Sequence, residues 1–313
     1  MTRGYEACSG CGICTMVCPV AWETGDVWYT PHGRARALQG GANAEDLAES
    51  VRSCRMCGAC EPACPERIDI LAMVRRLRVQ LNEANGNPFI RDGTDAAAAN
   101  RGRLLLAGPV LGGNLTLLDS VVECLGGVKR IRVAADDGRD LAWALEAGAR
   151  IDDERIDRFV ASLGKARELI VIEGMLHRFL RERGLRVRGF AEALLDSEAM
   201  LSVLGPRDLL VIETRAYHVD HDRLVTLFGR LRSRTGCQMN LDLQRLAIPT
   251  GADSLHVRGN GDETCKTAIS WMLEGRNVDR IVVESPADLG ALTAHTDVPV
   301  EHLSSAVSEK LRR

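Results

Sequence analysis

Eight of the chain's eleven cysteines lie before residue 65, and they form two copies of one pattern. Cys8, Cys11, Cys14 and Cys18 recur 46 residues later as Cys54, Cys57, Cys60 and Cys64. Gly12 recurs as Gly58, and Pro19 as Pro65. Scattered cysteines do not repeat in register with a glycine and a proline, so this is a duplicated unit. Structural zinc normally takes its ligands as two separated pairs, which so compact a run does not offer. A disulfide framework belongs to exported chains, and the opening MTRGYEACSG has no apolar core of a signal peptide. No apolar run approaches the roughly 18 residues of a membrane span. The expected setting is the cytoplasm, with any membrane association made through a partner subunit.

Each run reads C-x-x-C-x-x-C-x-x-x-C-P, which matches the run of bacterial two-cluster ferredoxins. In that arrangement three closely spaced sulfurs of one loop reach three irons of one cubane, and the fourth cysteine completes the other cubane. The match implies two [4Fe–4S] clusters. One uses Cys8, Cys11, Cys14 and Cys64; the other uses Cys54, Cys57, Cys60 and Cys18. Proline after the fourth cysteine ends each loop, and Gly12 and Gly58 bring backbone without a Cβ close to the cluster. The crossing staples the two copies together, so the metal is structural as well as functional.

The chain between the runs, Trp22 to Arg52, holds the polar turn Tyr29-Thr30-Pro31-His32-Gly33 and a helical stretch from about Asn43 to Val51. After the second run, Ile70, Val74, Leu77 and Leu81 recur at helical spacing, and that helix stops before Gly86-Asn87-Pro88. Residues 91–101 read as a linker. From Leu104 onward short β-rich runs alternate with helical segments. Strands are expected at Leu104–Ala107, Ile131–Ala134, Leu169–Ile172, Leu209–Ile212, Leu255–Val257, Ile281–Val283 and Val298–Val300. Helices are expected over Ile156–Leu163, Leu224–Arg232 and Thr264–Leu273. The expected fold is α+β and multidomain: an α-helical ferredoxin over residues 1–90, the linker, and two similar α/β domains over 102–204 and 205–313. Aromatic residues are 4% of the chain, so its core must rest on Leu, Val, Ile and Ala.

The first 85 residues resemble the iron–sulfur subunits of glycolate oxidase, anaerobic glycerol-3-phosphate dehydrogenase and heterodisulfide reductase. The two cysteine runs, Pro31-His32-Gly33-Arg34 and the helix from about Asp69 to Leu81 carry the resemblance. In that family two domains follow, each marked by a Cys-Cys-Gly element, and in heterodisulfide reductases they hold noncubane clusters. Here Asp136-Asp137-Gly138 and Val257-Arg258-Gly259 stand where Cys-Cys-Gly is expected. Glu173-Gly174-Met175-Leu176 and Ser285-Pro286-Ala287-Asp288 stand where the second cysteine pairs are expected. These clusters need soft thiolate ligands, so no noncubane cluster is expected. Cys124, Cys237 and Cys265 are read as buried small hydrophobes.

Smaller signals favour plain readings. His218 and His221 among acids suggest a hydrated loop over a metal site. Gly259-Asn260-Gly261-Asp262 reads as a turn capping a helix. Gly108 to Gly113 lacks the order of a nucleotide loop. Arg34, Arg36, Arg52, Arg55, Arg67, Arg75, Arg76 and Arg78 divide among cluster neighbours, a docking rim for an acidic partner and a solvated helix face. A formal net charge of −3 gives no footprint for nucleic acid. No catalytic triad or flavin fingerprint emerges. The favoured function is an electron-transfer subunit. It would link a flavoprotein or metal-centred dehydrogenase to a quinone-, heme- or ferredoxin-linked acceptor. The alternative is a heterodisulfide- or quinone-reductase-type enzyme with its own site in the α/β part.

Overall fold

The computed structural model describes residues 3–85, 102–242, 245–252 and 261–312, with backbone alone over 261–264. The linker, the strand expected at Leu255–Val257 and the Val257-Arg258-Gly259 element lie outside the described residues.

Residues 3–85 are helical and irregular. The helices are Ile13–Met16, Pro19–Thr24, Pro31–Gln39, Ala48–Ser53 and Ile70–Ala84. Pro31 sits in the first turn of its helix and the Thr30 hydroxyl accepts from Gly33 N, a proline-led cap. Asp69 caps the longest helix by accepting from Ala72 N. The helical stretch expected from Asn43 begins only at Ala48. Asn43 Oδ1 accepts from the backbone of Glu45 and Asp46, and Asp46 Oδ2 accepts from Asn43 N. These local bonds hold a turn in place of the first helical one.

The α/β part builds two four-stranded parallel sheets. The first contains β1 (Arg103–Leu106), β2 (Ile131–Val133), β3 (Glu168–Val171) and β4 (Val187–Arg188), in the order β2-β1-β3-β4. The second half adds β5 (Asp208–Val211), β6 (Gln238–Met239), the short antiparallel pair β7 (Leu241–Asp242) and β8 (Leu246–Ala247), β9 (Arg280–Val283) and β10 (Val300–His302). Its parallel sheet runs β10-β9-β5-β6, the same topology read from the other edge. Central strands of parallel sheets are covered on both faces, and β3 is buried along its whole length. The six expected strands within the described residues all form, shifted by one or two positions. The two-residue strands carried no sequence signal, because two residues cannot display an alternation.

Several contacts bind these units. Leu47, Val51, Leu77 and Leu81 share one core with Leu104, Leu141 and Leu180, so the cysteine-bearing part packs directly on the first α/β half. Trp22 stacks on Trp271 of the second half, with centroids 4.9 Å apart and planes 6° from parallel. The last helix, Leu303–Arg312, returns to the first half. There Leu303 and Val307 share a core with Leu117 and Val121, and Arg312 pairs with Glu123 at 2.7 Å. Among the described residues no helix is long and apolar enough to cross a membrane.

His177, on the helix Gly174–Glu182, is fully buried, and neither ring nitrogen has a partner among the described residues. Burial, with Arg181 and Arg223 nearby, pushes its pKa down to about 3. The folded state therefore holds it neutral, while the unfolded chain takes up a proton near pH 6.5. Its contribution to stability is present above about pH 6.5 and is lost as the pH falls toward 3. His177→Leu is expected to be as stable as wild type at pH 7. At pH 5 it should gain about 2 kcal/mol on wild type, 1.5 units at 1.36 kcal/mol each. Melting temperatures of both proteins at the two pH values check this; equal losses in both would contradict it.

Two cysteine-lined cavities as the candidate redox site

The two cysteine loops have matching backbones. Gly10 and Gly12 take left-handed φ values of 81° and 76°, and their counterparts Met56 and Gly58 take 54° and 81°. For Met56 this conformation costs roughly 1–2 kcal/mol, which burial of its side chain in the core offsets. Gly58 is doubly constrained, since a Cβ there would also lie 3.2 Å from the Cβ of His218.

Cys8, Cys11, Cys14 and Cys64 line one cavity, beside Pro31, His32 and Met73. Cys18, Cys54, Cys57 and Cys60 line a second, beside Arg34, Arg55 and Leu71. All eight are free thiols. Each cavity thus draws three cysteines from one run and the last from the other. Burial, with Cys64, Cys8 and Cys11 nearby, pushes the Cys14 thiol up to about 12. Burial, with Cys18 and Cys54 nearby, pushes Cys57 up to about 12. Burial likewise raises Cys60 and Cys18. Crowded, desolvated thiols resist becoming thiolates unless a cation joins them. Among the described residues no three His, Cys, Asp or Glu side chains converge on one metal ion. A cubane, whose four irons each take one sulfur, needs a wider spread than a single ion.

Three buried donors support the fit. His32 Nδ1, Arg34 Nη1 and Arg55 Nη1 have no partner among the described residues. His32 lines the first cavity; Arg34 and Arg55 line the second. Other nitrogens of these guanidinium groups are engaged. Arg34 Nε donates to Ser50 O at 3.0 Å and its Nη2 to Tyr29 O at 2.8 Å, while Arg55 Nη2 pairs with Glu23. A buried donor without an acceptor is costly, and thiolate and sulfide sulfurs would supply acceptors to all three. The residues present fit an iron–sulfur cluster in each cavity.

Residues 4–68 match the family model of the 4Fe-4S dicluster domain. This is an iron–sulfur electron-transfer domain. The match covers both cysteine runs and stops before the α/β part. No curated protein matches the chain. Among solved structures, allantoin racemase from Klebsiella pneumoniae superposes with a TM-score of 0.29 at 15% identity, covering 68% of this chain and 87% of that chain. That likeness is too slight to bear on fold or activity.

The α/β part contributes residues to the dicluster domain that no local pattern announced. His218 is buried, and burial pushes its pKa down to about 4. Its Nε2 accepts from Ala247 N at 3.0 Å, so its Nδ1 carries the proton and donates to Cys57 O at 2.8 Å. It is a neutral bridge from the second cysteine loop to β8. Arg215 donates to Arg55 O at 3.3 Å. Arg178 pairs with Glu61, beside Cys60, at 2.5 Å. Of the basic side chains, Arg34, Arg55 and Arg78 lie in the interior. For Arg78 this rules out the solvated helix face, one of the readings left open from sequence: its guanidinium donates to Val51 O and Cys54 O.

The remaining cysteines stand apart. Cys237 and Cys265 are buried in separate cores, and Cys124 is half-buried with its Sγ 3.4 Å from Ser304 O. Asp136 forms a buried pair with Arg155 at 2.9 Å, and Glu173 and Ser285 cap helices. Of Gly259-Asn260-Gly261-Asp262, the structure describes only the backbone of the last two. His218→Leu would leave Cys57 O and Ala247 N buried without their partner. A loss of roughly 3 kcal/mol is expected, seen as a melting temperature several degrees lower with faster loss of bound iron. An unchanged melt would contradict the bridge.

Proposed function

We propose that this chain is the electron-transfer subunit of an oxidoreductase complex. Cys8, Cys11, Cys14 and Cys64 hold one [4Fe–4S] cluster, and Cys54, Cys57, Cys60 and Cys18 hold the other. The observation that carries the reading is the pair of cavities, each taking its fourth cysteine from the opposite run. A bound cluster supplies reversible one-electron chemistry. The chain's own residues fix the sulfurs, exclude water and set the charge around them. The donor is a flavoprotein or a metal-centred dehydrogenase, and the acceptor is quinone-, heme- or ferredoxin-linked.

The two sites differ in ways that give electron flow a direction. Cys11 is exposed, whereas Cys18 and Cys60 are buried. The first site therefore faces an incoming protein partner, and the second faces the α/β halves. Positive charge and hydrogen bonds to sulfur raise a cluster's potential. The second site has two buried guanidinium groups, and the first has an imidazole. With clusters held by these cysteines, the Arg34 and Arg55 guanidinium groups would favour electron passage from the outer site to the inner one.

Iron and acid-labile sulfide analysis should give about eight of each per chain, with two reversible one-electron reductions. Four irons, or clusters that do not reduce reversibly, would overturn the reading. Arg55→Gln is expected to lower one of the two midpoint potentials by roughly 60 mV. That corresponds to one charge-assisted bond of about 1.5 kcal/mol. Potentiometric EPR checks this, and a shift in both clusters or in neither would contradict the placement of Arg55.

A further inference from the structure

The dicluster domain does not account for one roomy cavity among the described residues. A space of about 490 Å³ opens where the two α/β halves meet. Its walls are the residues that follow β1, from Ala107 to Leu111, those that follow β3, Ile172 and Glu173, and those that follow β9, Ser285 to Ala287. The helix Arg139–Ala147 closes one side with Ala142, Trp143 and Glu146. The volume suits a small molecule. The position, beyond the carboxyl ends of parallel strands on either side of β1, is where open α/β sheets bind ligands.

The lining selects the chemistry. Most of it is apolar: Pro109, Val110, Leu111, Ile172 and Pro286 surround the space. Trp143 is 43% exposed and Val110 45%, so two large apolar side chains border it with much of their surface uncovered. Among the described lining residues every charged side chain already has an ionic partner: Asp140 pairs with Arg155 at 2.7 Å, and Glu146 and Glu173 both pair with Arg215. The Arg139 guanidinium is held by Asp137 at 2.8 Å. A described lining whose one cation is already paired offers no hold for phosphates, nucleotides or organic acids. It suits an uncharged planar ring that packs against the indole and the prolines.

The cavity also adjoins the inner cysteine site. Arg215 pairs with Glu146 at 3.1 Å and with Glu173 at 3.2 Å, and the same guanidinium donates to Arg55 O. Arg78 donates to Glu146 O and to Cys54 O. At two points a single guanidinium spans from the cavity wall to the Cys54–Cys57 loop.

We propose that this cleft binds a quinone-class electron acceptor, which places the acceptor site within this chain. The inference rests on the electron-transfer reading. The ring takes two electrons, one at a time, through the inner site of Cys18, Cys54, Cys57 and Cys60. With two protons from water it leaves as the hydroquinone. The protein donor then restores the two electrons through the outer site.

The test uses the full chain with its clusters loaded. Iron content and EPR are measured first, so absent clusters would count against the electron-transfer reading and not against the cleft. Protein reduced with dithionite and desalted is mixed anaerobically with menadione, an uncharged quinone, or with flavin mononucleotide, a phosphate-bearing ring oxidant. Cluster reoxidation is followed by absorbance. Wild type should show a rate that saturates with menadione concentration. Val110→Trp, which fills the cleft from its exposed rim, should slow reoxidation at least tenfold at low menadione. Trp143→Ala should weaken the apparent affinity, and flavin mononucleotide should show no saturation. Rates that rise linearly with menadione and are equal in wild type and both variants would overturn the proposal. Saturating reoxidation by flavin mononucleotide that Val110→Trp abolishes would overturn the assigned ligand class.

Discussion

Eight thiols share two small cavities, and the burial of sulfurs that must ionise to hold iron is the constraint on which the rest of the molecule is arranged. Burial and neighbouring cysteines both push Cys14 and Cys57 up to about 12, so the free thiols cannot settle the site by ionising alone. Iron resolves the conflict, because it brings the positive charge that crowded thiolates need. On the proposed ligation Cys18 and Cys64 cross between the loops, so neither loop is complete without the other. The fourth ligand then ties Cys18 to Cys54, 36 residues on, and Cys64 to Cys14, 50 residues back, and cluster binding and folding of residues 4–68 become one event.

The α/β halves act on this site by closing it from behind. The dicluster domain and the first half share a continuous core, which seats the cysteine-bearing part against the first sheet. Arg78, Arg178, Arg215 and His218 each reach the second loop or its flank with buried or charge-assisted hydrogen bonds. Buried polar contacts of this kind are costly to break singly, and they fix the inner loop more firmly than the outer one. That asymmetry matches the difference in exposure between Cys11 and the buried Cys18 and Cys60. On the proposed function, that asymmetry sets an outer end toward a protein donor and an inner end against the cleft.

The sequence displayed what is local and periodic. The cysteine runs, the helix Ile70–Ala84 and the longer strands announce themselves through spacing, because their determinants lie within a few residues of one another. The contacts that shape the second loop are of another kind. His218 lies 161 residues from Cys57, and the hydrated loop read for it from sequence is instead the buried helix Thr214–Val219, which the fold brings to the cluster loop. Arg78 sits on a helix whose neighbouring Arg76 is exposed, and only packing against Glu146 and Cys54 shows that it faces inward. The cleft was invisible for the same reason: it is made by residues following β1, β3 and β9, none of which carries a binding motif. Asp136 and Glu173, in positions where the resemblance places thiols, now pair with Arg155 and Arg215.

The most direct test is spectroscopic assignment of the crossed ligands. In the loaded protein, Cys8→Ser and Cys64→Ser should perturb the EPR signal of the same cluster and leave the other intact. Cys54→Ser and Cys18→Ser should together perturb the second. If Cys64→Ser instead altered the cluster that Cys54→Ser alters, each run would hold its own cluster, and the account of a crossed pair would be wrong.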